Sequence, residues 1–138
     1  MKKILWIFVI IISLIAASFF LYFYCYKNKL DSLQSIAINS EQTIPQCSAR
    51  NLDKNIVLIV SKYCPHCKKA TDIIKTIVKN HSLKNKYQRI DITEPQGQMF
   101  LTKSKINIFY TPTLIANCKS YIGIKSKKVY KDIFSQED

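Results

Sequence analysis

The sequence predicts an α/β domain with the element order β-α-β-α-β-β-α, preceded by one N-terminal transmembrane helix. Three observations predict it. An unbroken apolar run occupies the amino terminus from Ile4 to about Tyr26. A continuous, mostly β-branched run, Ile56-Val57-Leu58-Ile59-Val60, reads as a central strand buried on both faces. Shortly after it, Ala70, Ile73, Ile74, Ile77 and Val78 recur at helical spacing, the mark of an amphipathic helix. At 138 residues the chain has room for one such domain plus appendages.

The apolar run is interrupted only by Ser13 and Ser18. As a helix it would measure about 35 Å, enough for a hydrocarbon core of about 30 Å. Lys2, Lys3 and Trp6 stand at one end and Tyr22, Tyr24 and Tyr26 at the other, where interfacial aromatic rings are expected. A cleaved signal peptide is the rival reading, with Ala16-Ala17-Ser18 as its small residues. The apolar run continues through Phe19–Tyr24 beyond them, longer than a signal core, so residues 1–26 are read as an uncleaved anchor. Charge is nearly balanced across the run, Lys2 and Lys3 against Lys27 and Lys29 with Asp31 offsetting part; the shortness of the tail before a first helix keeps it on the cytoplasmic side and places the rest of the chain on the extracytoplasmic (periplasmic) side, as a single-pass membrane protein.

Residues 27–54 mix Asn, Ser, Gln, Lys and Asp with isolated Ile and Leu and carry Pro45, and they read as a linker to a domain at 55–138. Within that domain Tyr87–Ile92 reads as a second strand. Thr93-Glu94-Pro95 opens a short helix, with Thr93 as N-cap and Pro95 near the first turn. Met99, Phe100 and Ile106 are expected to face the core. Thr113–Ala116 and Tyr121–Ile124 read as strands around a turn at Asn117-Cys118-Lys119-Ser120, and Val129–Phe134 as a closing helix.

The 21 Lys+Arg against 9 Asp+Glu leave a formal net charge of +12. Arg50 and Arg89 are the only arginines, and no basic stripe is present. Base and phosphate readout favours Arg, so no nucleic-acid partner is expected.

The chemistry concentrates at Cys64-Pro65-His66-Cys67, between the strand and the helix. Two residues between cysteines in a first helical turn bring the sulfurs within bonding distance. A helix N-terminus stabilises a thiolate at Cys64, and Cys67, one turn deeper, can resolve a mixed disulfide. His66, when protonated, would favour that thiolate further and make the disulfide more oxidising. Lys62, Lys68 and Lys69 add a weak, screened push. A zinc knuckle built on this pair with His66 or His81 is the competing reading. A closed site needs four ligands and the sequence offers no second paired set, so no metal is expected.

Strand, Cys-Pro-His-Cys, amphipathic helix, strand, helix, and then Thr111-Pro112-Thr113-Leu114 at the start of a strand: over roughly residues 54–136 this resembles the thioredoxin superfamily. The resemblance implies a thioredoxin-like fold, a four-stranded mixed sheet flanked by helices. It implies a cis Pro112 packed against the redox pair, with Thr111, Pro112 and Pro65 on the substrate-docking face. The tetrapeptide is that of DsbA-type disulfide oxidases, whereas the compact layout and Asn117-Cys118-Lys119-Ser120-Tyr121-Ile122-Gly123 look more like a glutaredoxin. Leu58, six residues before Cys64, stands where thioredoxins carry a buried acid, and Tyr63 where a tryptophan is usual.

On that fold Cys47 and Cys118 would lie at the sheet end remote from Cys64, as a structural disulfide or as two free thiols. Cys25, at the edge of the apolar run, is open to acylation or simple packing. The implied activity is that of an extracytoplasmic thiol–disulfide oxidoreductase acting on protein cysteines, in disulfide formation or isomerisation. Its cofactor would be the Cys64–Cys67 disulfide itself. The implied partners are cysteine-containing secreted or membrane proteins and a membrane redox partner that reoxidises or reduces it. Two alternatives stand beside this. One is a membrane-tethered reductase that keeps haem-attachment or other target cysteines reduced. The other is a non-catalytic tethered binding subunit whose Cys64–Cys67 bond is structural.

Overall fold

The computed structural model describes residues 2–31, 33–80 and 86–136, with side chains described for all of these except 2–11, 26, 28–31 and 80. The chain divides into two units, Met1–Leu33 and Gln34–Asp138.

The first unit holds one helix, α1 (Lys2–Asp31). Among the described residues no helix is long and apolar enough to cross a membrane. This corrects the expected transmembrane anchor over residues 1–26, and with it the single-pass membrane placement and its extracytoplasmic facing. Lys2, Lys3, Trp6 and Tyr26, on which the ends of that expectation rested, lie outside the described side chains.

The second unit is built around β3 (Ile56–Val60), whose five residues are all buried. Its alternate side chains feed two cores. Ile56, Leu58 and Val60 pack with Ile74, Ile77, Leu114, Tyr130 and Phe134 on one face of the sheet. Val57 and Ile59 pack with Ile38, Ile44, Leu52, Ile106 and Ile115 on the other. A strand sandwiched in this way has no polar face to show, which is why it reads as an unbroken apolar run.

From β3 the chain enters α2 (Pro65–Asn80) and returns as β4 (Tyr87–Asp91), parallel to β3. It then forms α3 (Pro95–Ser104), β5 (Ile106–Ile108), the antiparallel hairpin β6 (Thr113–Ala116) and β7 (Lys119–Ile122), and α4 (Lys127–Phe134). Ser126 caps α4, its hydroxyl accepting from Val129 N–H at 3.3 Å. Glu94 rather than Thr93 holds the N-cap position of α3, with no side-chain cap bond. The Thr93 hydroxyl instead donates to Asp91 Oδ1 at 2.7 Å. Met99, expected in the core, is 52% exposed.

The sheet differs from the four strands expected. Among the described residues it has five, in the order β2 (Gln42–Thr43), β7, β6, β3, β4, and a second, two-stranded parallel sheet joins β1 (Ile36–Ile38) to β5. The additional strands β1 and β2 come from the stretch read as linker. They are too short to display an alternating pattern, and each is held by a partner far away in sequence: Gln42 pairs with Ser120, and Ile36 with Ile106. Arg50 fixes this segment. Buried at 4% exposure, its guanidinium donates to the carbonyls of Gln34, Pro45, Ser104 and Lys105 at 2.6 to 3.1 Å. The last two are carbonyls at the carboxy-terminal end of α3, where a cation also meets the negative end of the helix dipole.

The β6–β7 hairpin turns on Asn117 and Cys118, both with positive φ, 51° and 57°. Two left-handed residues make the turn that matches strand twist, and glycine is favoured at the second. Cysteine there is explained by its bond to Cys47, which closes a loop of sequence separation 71. A prediction separates the two effects. Cys118→Ser loses the bond and keeps the backbone cost, at about 4 kcal/mol. Cys118→Gly loses the bond but relieves the backbone, and is expected to be the more stable of the two by about 1 kcal/mol in urea unfolding.

Candidate active site

β3 ends at Val60, and the chain turns through Ser61–Tyr63 before Pro65 starts α2. Cys64 N–H donates to Ser61 O and Cys67 N–H to Cys64 O, each at 3.1 Å. This tight turn sets Cys64 just ahead of the helix and Cys67 within its first turn. The two are joined as a disulfide with Cα atoms 5.4 Å apart. They differ in access: Cys67 is 3% exposed and part of the core, whereas Cys64 is only partly covered. The helix N-terminus brings unpaired N–H groups and the positive dipole end to this spot.

Across from the pair lies the turn before β6. The Thr111–Pro112 peptide is cis, and the Thr111 carbonyl oxygen sits 3.3 Å from Cys64 Sγ. The turn is tied down by Gly123 N–H donating to Pro112 O at 2.7 Å and by the Thr113 hydroxyl donating to Tyr110 O at 2.7 Å. Among the described residues the Thr111 N–H has no partner. The rim of the site is aromatic and open: Tyr63, Phe109 and Tyr110 are 78%, 64% and 57% exposed.

Pro65 and His66 are exposed at the start of α2. The His66 side chain makes no hydrogen bond or ion pair among the described residues. Leu58 is fully buried in the same core cluster as Cys67, so no acid stands beneath the inner sulfur from that strand. One turn further along α2 the Thr71 hydroxyl donates to Cys67 O at 2.7 Å.

A cleft of about 280 Å³ opens beside the disulfide, with Lys62, Cys64, Cys67, Lys68, Asp72, Lys75 and Arg89 in its walls. Sequence reading named the two cysteines, Lys62 and Lys68 but passed over Asp72, Lys75 and the place of Arg89 in this cleft. The spacing Lys68, Asp72, Lys75 puts three charges on one face of α2, a legible signal. Arg89 arrives from β4, where it is paired with Leu58 in the β3–β4 register, a position no local pattern reveals. Arg89 also bonds Asp91 at 3.3 Å. Burial alone would raise the Asp91 pKa, but the Thr93 hydroxyl and N–H, together with Arg89, hold that carboxyl below its usual range.

Cys47 and Cys118 are joined with Cα atoms 5.6 Å apart, at the end of β6 away from Pro112. Cys25 is a free, exposed cysteine. His81 lies outside the described residues, and among the described ones no cluster of His, Cys, Asp or Glu could hold a metal ion. No protein-family model and no curated protein matches the chain.

Proposed function

We propose that this chain is a thiol–disulfide oxidoreductase acting on the cysteines of other proteins, in disulfide formation or rearrangement. One observation carries the reading. A disulfide at a helix N-terminus has one partly open sulfur facing a fixed backbone carbonyl, at 3.3 Å, and one sulfur buried in the core. A purely structural bond gains nothing from that asymmetry, whereas exchange chemistry requires it. The strand, Cys-Pro-His-Cys, helix order and the proline before an antiparallel strand, which resemble the thioredoxin superfamily, support the same reading.

In the oxidising direction a substrate thiolate attacks Cys64 Sγ. The Cys64–Cys67 bond breaks, and Cys67 leaves as a thiolate that takes up a proton. A second substrate thiolate then attacks its own partner sulfur in the mixed disulfide and expels Cys64 as a thiolate. The substrate gains one disulfide, and the protein gains two electrons and holds a dithiol. A disulfide donor must take those electrons before the next round. The reverse sequence reduces a substrate. Thr111, with a free N–H on one side and its carbonyl toward Cys64, is placed to align an extended substrate backbone beside the sulfur. Pro112 and Pro65 border the same opening. His66, exposed between the cysteines, stabilises the Cys64 thiolate when protonated and so favours the dithiol form.

The test is insulin reduction by the chain in the presence of a small dithiol, together with the equilibrium potential of Cys64–Cys67 in glutathione buffers. Turnover is expected, with a potential near or above about −180 mV for an oxidase or isomerase. A potential near about −270 mV would assign the chain to reduction of target cysteines instead. Absence of turnover would leave a structural bond and sink the proposal.

A further inference from the structure

Four cationic side chains and a single carboxylate wall the cleft beside the disulfide: Lys62, Lys68, Lys75 and Arg89 against Asp72. None of Lys68, Asp72 and Lys75 forms an ion pair among the described residues. Lys62 is engaged only with the face of Tyr63, 4.9 Å from its ring centre. The one strong pair reaching the cleft, Arg89–Asp91, leaves the side chain of Arg89 40% exposed. The concave wall therefore carries a net positive charge, and both Cys64 and Cys67 are part of it. Its volume of about 280 Å³ falls below the range of sites that enclose a whole cofactor or drug-sized ligand. It suits one or two side chains of something larger.

We infer that this cleft is a specificity subsite that receives an acidic side chain of the protein substrate while that substrate's cysteine engages Cys64. The inference rests on the oxidoreductase reading and deepens it, since it names the substrate class: cysteines with Asp or Glu close by. An incoming carboxylate meets three or four cations in a concave, partly desolvated wall, where each contact is worth more than on an open surface. An incoming lysine meets the same wall as repulsion. Thr111 takes no part in the cleft, so backbone alignment and side-chain selection fall to separate elements of the site.

The experiment mixes the oxidised 138-residue chain, under single-turnover conditions, with three dithiol peptides that differ only in the residues flanking their cysteines: Glu, Gln or Lys. Loss of peptide thiols gives the rate. The Glu peptide is expected to react about tenfold faster than the Lys peptide at low salt, with Gln between them. The gap should close toward unity at about 0.5 M salt. The double variant Lys68→Glu/Lys75→Glu, on two exposed positions, is expected to invert the order. The ratio of rates cancels any change in the intrinsic reactivity of the disulfide. A remote double variant of equal charge, Lys103→Glu/Lys119→Glu, is expected to keep the Glu preference. Equal rates for the three peptides, a preference that survives Lys68→Glu/Lys75→Glu, or an inversion by the remote variant would each overturn the subsite while leaving the redox reading intact. No reaction with any peptide would overturn both.

Discussion

Cys67→Ser is expected to turn the protein from a catalyst into a trap. With Cys64 alone, a thiolate at the helix N-terminus still attacks a substrate disulfide, but nothing then displaces the substrate. The covalent adduct accumulates, and intact-mass measurement shows the chain plus one substrate through Cys64. Cys64→Ser is expected to do the opposite. Both variants also carry Cys25→Ser, which removes the free, exposed cysteine; Cys67 is 3% exposed, so no sulfur is then left within reach, and no adduct forms. Both variants are expected to lose at least about 1,000-fold in insulin reduction, because attack and resolution act as a unit and removing either stops the cycle. The distinguishing result is the adduct, present in Cys67→Ser and absent in Cys64→Ser. Adducts on both would mean that the inner cysteine is accessible in solution, and adducts on neither would remove Cys64 as the attacking group. The Cys47–Cys118 bond is common to the two variants and does not confuse the comparison.

Gly97→Ala is expected to be among the most damaging single-methyl additions available to this chain. By helix propensity alone it should stabilise α3 by about 1 kcal/mol. The structure reverses the sign. A Cβ built at Gly97 would lie 1.9 Å from the Asp91 carbonyl oxygen and 2.6 Å from its carbon, both backbone atoms at the end of β4. Backbone cannot swing aside as a side-chain tip can, so helix and strand must separate. That strain is expected to cost about 3 kcal/mol or more in urea unfolding. The displacement also reaches the site, because Asp91 accepts from Arg89 at 3.3 Å and anchors it in the cleft wall. A variant of unchanged or raised stability would show that α3 rides farther from β4 in solution.

These two predictions draw on different depths of legibility. The cysteine pair is written in the sequence because its chemistry is local: a turn, a helix start and a spacing of three. β3 is legible for a similar reason, since burial on both faces leaves a run of one residue class. Gly97 gives no such sign. It sits in Pro95-Gln96-Gly97-Gln98, where a glycine suggests a loop, and only the packing of α3 on Asp91 explains it. β2 was illegible because Gln42 and Thr43 are polar and its whole content is the pairing to Ser120 and Lys119. The buried Arg50 was equally hidden: an arginine in a polar stretch looks like surface, and its carbonyl partners lie up to 55 residues away. The apolar amino terminus misled in the other direction. Composition described a membrane span, whereas among the described residues no helix is long and apolar enough to be one.

The pairing of Cys47 with Cys118, 71 positions apart in the chain, carries a consequence for synthesis. Translation delivers Cys47, Cys64 and Cys67 well before Cys118 exists, and β2 has no neighbour until β7 has been made. Throughout that interval the nascent chain carries four thiols, Cys25 included, of which only Cys64 and Cys67 belong together, and an early oxidant can join Cys47 to any of the other three. The correct bond waits for the last quarter of the chain, which gives the newborn protein itself a need for disulfide repair.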